Sequence, residues 1–325
     1  MASALLPALH ATWPGCHVTW VTDTPLVPLV HRLHGVHEVI GVDLRPLLSG
    51  SVARKLHAAL KLATRLAFRH WDVVILAHKD RRYRALLAGA RYGRVVQSPP
   101  HEPLTTRGRY MGEEYTDLLH AVLAEPTPAG TRPPATLATL RAHETPAPPT
   151  EPQIDVLLAP GGARNLLRDD PLRRWPRDHW ERLAGALTAQ GLRVALVGGS
   201  ADAEDASAVA RAVPAVRNLA GQTSLPGLLA LLEHARVLVT HDAGPLHLAA
   251  LTRTPTVALF GPTVPEERIP PGAPMVVASA AAGLPCAPCY NGRDYAPCSR
   301  NRCLADLSVE TVLGLAEEQL MRSSR

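Results

Sequence analysis

The chain has 325 residues, of which 46% are hydrophobic and 19% charged, and its formal net charge is +5. A chain of this length exceeds one comfortable hydrophobic core, so we expect two domains of a globular protein. No apolar run approaches the roughly 20 residues that a membrane-spanning helix needs. Aromatic residues make up only 4%, which speaks against nucleic acid as a partner. The positive charge favours anionic ligands such as phosphates, acidic glycans or a membrane surface.

Short β-rich segments alternate with helical patterns through the first part of the chain. The clearest helical pattern runs from 51 to 69, where Leu56 and Leu60 recur on one face. This alternation predicts βαβ units and a parallel sheet. The predicted strands lie at 17–22, 37–42, 71–76 and 93–97.

A change of composition separates this part from the next. Residues 125–153 are crowded with Pro and Thr, as is typical of a linker, and the alternation of strands and helices then restarts. Two domains of this kind place a ligand-binding cleft at the carboxyl ends of their sheets. The predicted division is an N-terminal domain at 1–124, the linker at 125–153, a second domain at 154–306 and a C-terminal helix at 307–325.

Gly161 and Gly162 come directly after a predicted strand and are followed by several arginines. Glycine lets the backbone approach a ligand closely because it has no Cβ. Arginines beside free backbone amides suit a diphosphate, although a mobile, Arg-rich surface loop explains the pattern equally well. The arginines are Arg164, Arg168, Arg173 and Arg174.

A second glycine pair, at 198–199, ends another predicted strand and precedes a helix with acidic residues in its first turn. Such pairs are common in Rossmann-like folds, so this signal alone is weak. The carboxylates of Asp202, Glu204 and Asp205 either accept the hydroxyls of a ribose or complement the helix dipole, and the second role is the commoner one.

The turn at 240–245 has the residues of a helix start. Asp242 stands at the position of an N-cap, and Pro245 loses nothing there because the first helical amides lack partners anyway. His247 lies one turn further along the same face, a position that a purely structural histidine also occupies. Phosphate would bind at the positive end of the helix dipole, and the amides predicted to be free for it are those of Ala243, Gly244 and Leu246.

The order of these turns carries more information than any one of them. The sequences that follow one another are "PGGARNLLRDDPLRRWP", "VALVGGSAD", "NLAGQTSLPGLLALL", "VTHDAGPLHLAA", "TPTVALFGPTVPEER" and "CAPCYNGRDYAPCSRNRC". In this order they resemble glycosyltransferase family 9, the heptosyltransferases of lipopolysaccharide core assembly and their relatives. The resemblance implies an α/β protein of the GT-B fold, in which two Rossmann-like βα domains face each other across a cleft and the second binds most of the donor.

The resemblance also implies roles for the turn after residue 241. The family motif D-[ST]-G-x-x-H matches Asp242, Gly244 and His247, with Ala243 in place of the usual hydroxyl residue. In heptosyltransferases this turn contacts the diphosphate and the sugar of an ADP-heptose donor. The exchange at Ala243 removes one hydroxyl ligand.

Two further donor ligands follow from the resemblance. The basic residue before the family's Trp-Pro falls at Arg173 or Arg174, and the acidic residue near the ribose falls at Glu204 or, as the alternative, at Asp202. The predicted donor-binding residues are therefore Gly161, Gly162, Arg173, Arg174, Glu204, Asp242, Ala243, Gly244 and His247.

Family members usually open with a strand and a Gly-Asp turn, whose Asp is the general base. This sequence opens on what resembles the first helix, so the first strand of the N-terminal domain is missing from it and the catalytic residue stays unassigned. We favour a misassigned start codon over a truncated protein, because loss of a central strand would expose apolar surface.

Four cysteines have a spacing that a tetrahedral zinc ion accepts, although free thiols or disulfides explain it as well. We expect no metal and no cofactor. Because no DxD-type motif lies near the donor turns, we also expect metal-independent catalysis. The cysteine usage favours a reducing cytoplasm. These cysteines are Cys286, Cys289, Cys298 and Cys303.

The expected function is transfer of a sugar, with heptose the leading candidate, from a nucleotide-diphosphate donor such as ADP-heptose to a lipopolysaccharide-type glycan or glycolipid. We expect a cytoplasmic enzyme whose acceptor brings it to the inner face of the membrane, and no nucleic acid partner. Two alternatives stay open. One is a non-catalytic nucleotide-sugar-binding protein that lacks the base, and the other is a different GT-B enzyme such as a nucleotide-sugar epimerase.

Overall fold

A computed structural model of the chain describes residues 1–78, 80–97, 108–123, 135–141, 154–164, 169–292 and 294–323. The chain forms two compact units, Met1–Arg141 and Ala142–Arg325. In the part of the chain that is described, every helix is too short or too polar to cross a bilayer.

The first unit alternates strands with helices, as the sequence predicts. Strands β1 and β2 form one parallel pair and β3 and β4 another, where a single sheet was expected. The strands are β1 Thr19–Asp23, β2 Glu38–Val42, β3 His70–Leu76 and β4 Arg91–Gln97. The helices are α1 Leu5–Thr12, α2 Val27–Arg32, α3 Leu44–Ser49, α4 Val52–Leu66, α5 Arg82–Ala85 and α6 Met111–His120.

Two apolar clusters hold the elements of this unit together. Leu62 and Leu66 lie one turn apart on α4 and are buried with Ile40 and Val42 of β2. A second cluster joins α1 and α6 to the other strand pair, and its members include Leu5, Leu119, Val73, Ile75 and Val96. Each strand pair is therefore covered by at least one helix.

Part of the Pro-rich stretch packs on the first unit. Leu140 forms an isolated antiparallel bridge with Leu33, and the amide of His34 donates to the carbonyl oxygen of Thr139 at 2.8 Å. Ala138 is buried. The remainder of the predicted linker lies outside the described residues, and the four-part division of the chain stays a prediction.

The second unit contains a parallel sheet in the order β10-β9-β8-β5-β6-β7. Its strands are β5 Val156–Ala159, β6 Val194–Leu196, β7 Arg217–Asn218, β8 Val237–His241, β9 Thr256–Leu259 and β10 Met275–Ala278. Its helices are α7 Arg177–Ala189, α8 Ala203–Ala212, α9 Leu225–His234, α10 Gly244–Thr252, α11 Pro265–Arg268, α12 Arg302–Ala305 and α13 Val309–Ser323.

The order of these strands locates a ligand-binding edge. Every residue of β5, β8 and β9 is buried, as expected for central strands of a sheet that is covered on both faces. Strands β5, β6 and β7 follow one another towards one edge of the sheet, and β8, β9 and β10 follow one another towards the other edge. The direction in which successive strands are added therefore reverses between the neighbours β5 and β8. In open parallel sheets, ligands bind beyond the carboxyl ends of the strands at such a switch point.

The C-terminal helix α13 belongs to the core of the second unit. Its residues Val312 and Ala316 are fully buried in the same cluster as strand residues such as Val239 and Val257. The indole nitrogen of Trp175 donates to the carbonyl oxygen of Leu307 at 2.9 Å, just before the helix begins. The α/β class and the parallel pairing of the named strands are confirmed.

Candidate functional site

The turns after β5 and β8 meet at the switch point of the second sheet. Ala159 at the end of β5 pairs in register with Thr240 of β8. The turn after β5 contains Gly162, whose φ is +100°, and a Cβ added there would lie 2.7 Å from the Cβ of Ala243. Only glycine accepts both this backbone conformation and this close approach. The structure thus brings two predicted site segments together.

Asp202 joins the first two glycine turns. Its Oδ1 accepts a hydrogen bond from the amide of Gly162 at 2.7 Å, and its Oδ2 accepts one from the amide of Gly199 at 2.9 Å. A Cβ added to Gly161 would lie 2.4 Å from the Cβ of Asp202, so glycine is needed here as well. Both carboxylate oxygens therefore bind backbone amides. Glu204, the first choice for the acidic ligand, is exposed in the first turn of α8.

Arg173 and Arg174 point to different partners. The Nη1 of Arg173 donates to Oδ2 of Asp242 at 3.1 Å. The Nε of Arg174 donates to the carbonyl oxygen of Gly162 at 2.9 Å, and its guanidinium also pairs with Asp169. Arg173 consequently lies at the β8 turn, whereas Arg174 fixes the β5 turn.

The two other arginines of the predicted loop do not extend this pair. The Nη1 of Arg164 donates to Oδ2 of Asp205 on α8 at 2.7 Å. Arg168 lies outside the described residues.

Asp242 is buried, and its carboxylate lies close to two guanidinium groups. It is only 3% exposed, and besides Arg173 it has the Nε of Arg268 at 3.7 Å from Oδ2. Arg268 is itself buried in α11 and its guanidinium carbon lies 5.9 Å from the centre of the Tyr290 ring. Asp242 thus faces two guanidinium groups, and Arg173 also has Oδ2 of Asp170 at 4.0 Å from its Nη2. Guanidinium groups clustered in this way suit an anion.

Helix α10 begins one residue later than the sequence predicts. Its N-cap is Ala243, with extended backbone, and Asp242 precedes the cap. The prediction of Asp242 as the cap is therefore wrong, because its carboxylate is held by two guanidinium groups at the end of β8 instead. The amide of Leu246 donates to the carbonyl oxygen of Ala243 at 3.1 Å, so it is not free for a ligand as predicted. The amides of Ala243 and Gly244 have no intrahelical partner because of their position.

Two histidines flank this turn, and burial lowers the pKa of both. The pKa of His241 falls from 6.5 to about 4, mainly through desolvation. The pKa of His247 is also lowered by burial; Asp242 opposes the shift, while Arg268 and Arg173 add to it. His247 is therefore a neutral imidazole near neutral pH, one turn into α10.

The hydrogen bonds of His241 define its tautomer. Its Nε2 accepts from the backbone amide of Trp175 at 2.7 Å, so Nδ1 carries the proton that is donated to the carbonyl oxygen of Gly161 at 3.0 Å. The ring also packs edge-on against Trp180, with centroids 5.1 Å apart. His241 thus ties the β5 turn and the Arg-bearing loop to the end of β8.

The four C-terminal cysteines are all free thiols. Burial raises the pKa of Cys303 to about 11 and also raises that of Cys289. The amides of Cys289 and Tyr290 both donate to the carbonyl oxygen of Pro262 at 3.1 Å, which places Tyr290 under Arg268. Among the described residues, no group of three or more Cys, His, Asp or Glu side chains is arranged to hold a metal. The expectation of no metal stays a prediction.

Sequence reasoning missed three residues of this site. Arg268 lies 26 positions after Asp242 in a separate turn. Because its neighbours are glutamates, the sequence there is typical of a solvent-exposed helix. His241 precedes the recognised motif, and its burial at a strand end was the available signal. Asp202 was considered as a ribose ligand or as an acid that complements the helix dipole, but not as the group that holds the two glycine turns, although the glycines that its side chain approaches were already in view.

Three comparisons relate this chain to known proteins. The sequence model of glycosyltransferase family 9 (heptosyltransferase) matches residues 79–299. Lipooligosaccharide heptosyltransferase 2 of Haemophilus influenzae is 38% identical over 101 residues, which is 30% of this chain and 29% of that protein. Lipopolysaccharide heptosyltransferase 1 of Pseudomonas aeruginosa is 36% identical over 144 residues, 43% of this chain and 39% of that protein. The matches thus span well under half the length of these relatives.

Solved structures resemble the chain over nearly its whole length. The Escherichia coli ADP-heptose lipopolysaccharide heptosyltransferase II aligns with a TM-score of 0.73 and 19% identity, covering 100% of this chain and 95% of that one. An Escherichia coli heptosyltransferase with ADP-2-deoxy-2-fluoro heptose aligns with a TM-score of 0.69 and 21% identity, covering 98% and 94%. At this identity the likeness shows the fold, and it confirms the predicted GT-B class.

Proposed function

The chain belongs to glycosyltransferase family 9, the heptosyltransferase family, and from this premise we propose that it transfers heptose from a nucleotide-diphosphate donor to a glycan hydroxyl. The donor class is that of ADP-heptose, and the acceptor class is a lipopolysaccharide-type glycan or glycolipid. Two similarities support the proposal: curated relatives are lipopolysaccharide heptosyltransferases, and a structural neighbour contains a fluorinated ADP-heptose.

The observation that carries this proposal is the cluster of two guanidinium groups at the switch point of the second sheet. The partly buried guanidinium of Arg173 and the buried one of Arg268 both face the carboxylate of Asp242, and Arg173 also has Asp170 at 4.0 Å. The N-terminal amides of α10, at Ala243 and Gly244, lie in the same turn and add the positive end of a helix dipole. Charge-assisted hydrogen bonds and free amides together form a site for a diphosphate.

The proposed roles follow from these contacts. Arg173 and the α10 amides hold the diphosphate, and Gly161 and Gly162 let the chain backbone approach it. Arg174 keeps the Gly162 turn in place, since it donates to that carbonyl. Asp242 orients the guanidinium of Arg173.

The remaining predicted residues border this centre. Glu204 is the exposed carboxylate nearest in sequence to the second glycine turn, where it would accept ribose hydroxyls. His247, neutral near neutral pH, contacts the donor from the first turn of α10.

In the transfer, the bond between the anomeric carbon and the diphosphate oxygen breaks, and a bond from the anomeric carbon to the acceptor oxygen forms. Negative charge develops on the departing diphosphate. Arg173, Arg268 and the α10 amides would stabilise that charge, and fixed donors of this kind contribute several kcal/mol, roughly 3–4 for one donor. The acceptor proton requires a base, which we leave unassigned.

The acceptor class implies where the protein works. A glycolipid acceptor lies in a bilayer, so we propose that the protein acts at the inner face of the membrane while its donor arrives from the cytoplasm. Peripheral association through a surface of the chain fits this location.

The test is transfer from ADP-heptose to a heptose-free lipopolysaccharide glycolipid by the purified protein. We expect transfer by the wild type, loss of about ten-fold or more in rate for Arg173→Ala, and little change for Arg182→Ala, a matched exposed arginine that pairs with Glu310 on α13.

Other outcomes favour other functions. Donor binding without turnover would identify a nucleotide-sugar-binding protein, and conversion of the donor without any acceptor would identify an epimerase-like enzyme. Transfer by Arg173→Ala at the wild-type rate would contradict the proposed donor site.

A further inference from the structure

Helix α4 presents a stripe of apolar side chains to solvent. Val52, Leu56 and Leu60 are 83%, 69% and 61% exposed, and their spacing of four residues puts them on one face. Phe68, just after the helix, is 92% exposed. Single exposed apolar residues are ordinary, but a contiguous apolar face of this kind marks an interaction surface. We call these four residues the α4 stripe.

The α4 stripe is distinct from the face that packs on the protein. Leu62 and Leu66 of the same helix are buried against Ile40 and Val42 of β2. The stripe is turned by about 100° around the helix axis from these two leucines, given the helical repeat of 3.6 residues. The helix therefore has one apolar face for the core of its unit and a second that the fold leaves exposed.

The backbone holds Phe68 out into solvent. Its φ is +64°, in the left-handed region, which a bulky side chain rarely occupies. The amide of Ala67 donates to the carbonyl oxygen of Ala63 at 2.7 Å and closes α4, so Phe68 begins the turn towards β3. Phe68 therefore adds an exposed aromatic ring directly after the helix that carries the other three apolar side chains.

The segment that carries the stripe is strongly cationic. Between positions 44 and 71 the chain has six Lys or Arg residues and no Asp or Glu, the six being Arg45, Arg54, Lys55, Lys61, Arg65 and Arg69. Arg65 donates to the carbonyl oxygen of Gly41 and Arg69 pairs with Glu38, while Arg54, Lys55 and Lys61 are exposed on α4. A helix is about 10 Å wide, close to one Debye length, so cations on its far side still interact with an anionic surface.

We propose that α4 lies in the plane of an anionic lipid bilayer, with the α4 stripe inserted at the boundary between headgroups and acyl chains. Leucine, valine and phenylalanine on one face and lysine and arginine on the other are the composition of interfacial helices. A second copy of this chain fits the same face less well, because pairing it with itself would bring two cationic segments together. This docking rests on the proposed function in one respect, since a glycolipid acceptor would lie in that bilayer.

The proposal is tested by cosedimentation of the full chain with vesicles. One set contains phosphatidylcholine and phosphatidylglycerol in equal parts, and the other contains phosphatidylcholine alone. We expect binding to the anionic vesicles that weakens as salt rises, and at least about ten-fold weaker binding to the neutral ones. Leu56→Glu should lower binding to the anionic vesicles by about ten-fold or more. Met321→Glu, equally exposed but on α13, is the matched control and should bind like the wild type.

Each result decides the proposal. Equal binding of wild type and Leu56→Glu, or no binding to anionic vesicles by the wild type, would overturn it. A shift from dimer to monomer in Leu56→Glu, seen by sedimentation, would assign the stripe to a second copy and also overturn it. Titration of ADP-heptose into the same samples separates the two proposals. Donor binding without vesicle binding would contradict only the membrane surface. Vesicle binding without donor binding would contradict only the proposed function.

Discussion

Asp242 organises the candidate site because one buried carboxylate holds two guanidinium groups. Its partners differ in distance, with Arg173 at 3.1 Å and Arg268 at 3.7 Å. Removing the carboxylate would leave the buried Arg268 without it, whereas Arg173 would keep Asp170 at 4.0 Å. Breaking a buried pair in this way costs about 3–5 kcal/mol. The arginines, in contrast, can be removed one at a time while Asp242 keeps a partner.

Substitution of Arg268 is the most informative test at the scale of single residues. Arg268→Ala removes one positive charge from the site and leaves the contact between Arg173 and Asp242, so we expect ADP-heptose to bind about 10- to 100-fold more weakly, the effect of losing a charged hydrogen bond. Isothermal titration measures this directly. Arg182→Ala is the control, and wild-type affinity in Arg268→Ala would show that this arginine serves the fold alone.

His241 makes stability depend on pH. Its pKa is lowered from 6.5 to about 4 in the folded chain, so the unfolded chain binds the proton first as the pH falls. The neutral imidazole of His241 therefore makes its full contribution to the free energy of unfolding above pH 6.5. This contribution, about 3 kcal/mol in total, is lost as the pH falls towards 4.

We therefore expect the thermal unfolding midpoint of the wild type to drop across this pH window. His241→Gln should unfold at a lower midpoint near neutral pH but with a weaker pH dependence, because it cannot take up the proton. His234→Gln, on the surface of α9, should keep the wild-type slope. A wild-type midpoint that rises as the pH falls from 6.5 would contradict a buried neutral imidazole.

At the scale of elements, the two turns of the switch point pack closely against each other at Gly162 and Ala243. Gly162 has φ of +100°, and its added Cβ would lie 2.7 Å from that of Ala243. We expect Gly162→Ala to destabilise the second unit by about 1–3 kcal/mol through strain and the clash. Adding Ala243→Gly should restore part of this loss, because it removes the clash but not the strain.

Gly185→Ala provides the control for this pair. Gly185 lies inside α7 and an added Cβ there meets only Val213, at 4.0 Å, so alanine should raise stability by about 0.5–1 kcal/mol. Chemical unfolding of these three variants and of the wild type measures the differences. Wild-type stability in Gly162→Ala would mean that the turn can relax away from Ala243.

The sequence predicts these elements better than it predicts their exact ends. Short runs rich in β-branched and apolar residues located the strands of both units, whether fully buried as in β5 or partly exposed as in β3. The start of α10 was misplaced by one residue because Asp242 is a good N-cap by type. What displaced it is a tertiary contact: Arg268, from a turn that follows a different strand, competes for the carboxylate. Local sequence patterns do not contain that information.

At the scale of the whole molecule, basic residues cluster in two places that the proposals use. The segment 44–71 carries six Lys or Arg residues without an acid, and the switch point of the second sheet brings Arg173 and Arg268 to the carboxylate of Asp242. Composition alone predicted a preference for anions but not these two places. The first place became visible only through the exposure of α4, and the second only through strand order.

The measurement that tests the central claim most directly is a crystal structure of the full chain with ADP-heptose. We expect the diphosphate within hydrogen-bond distance of Arg173 and of the amides of Ala243 and Gly244, at the carboxyl ends of β5 and β8. A diphosphate bound anywhere else, with Arg173 still engaged by Asp242 and Asp170, would contradict the assignment of this switch point as the donor site.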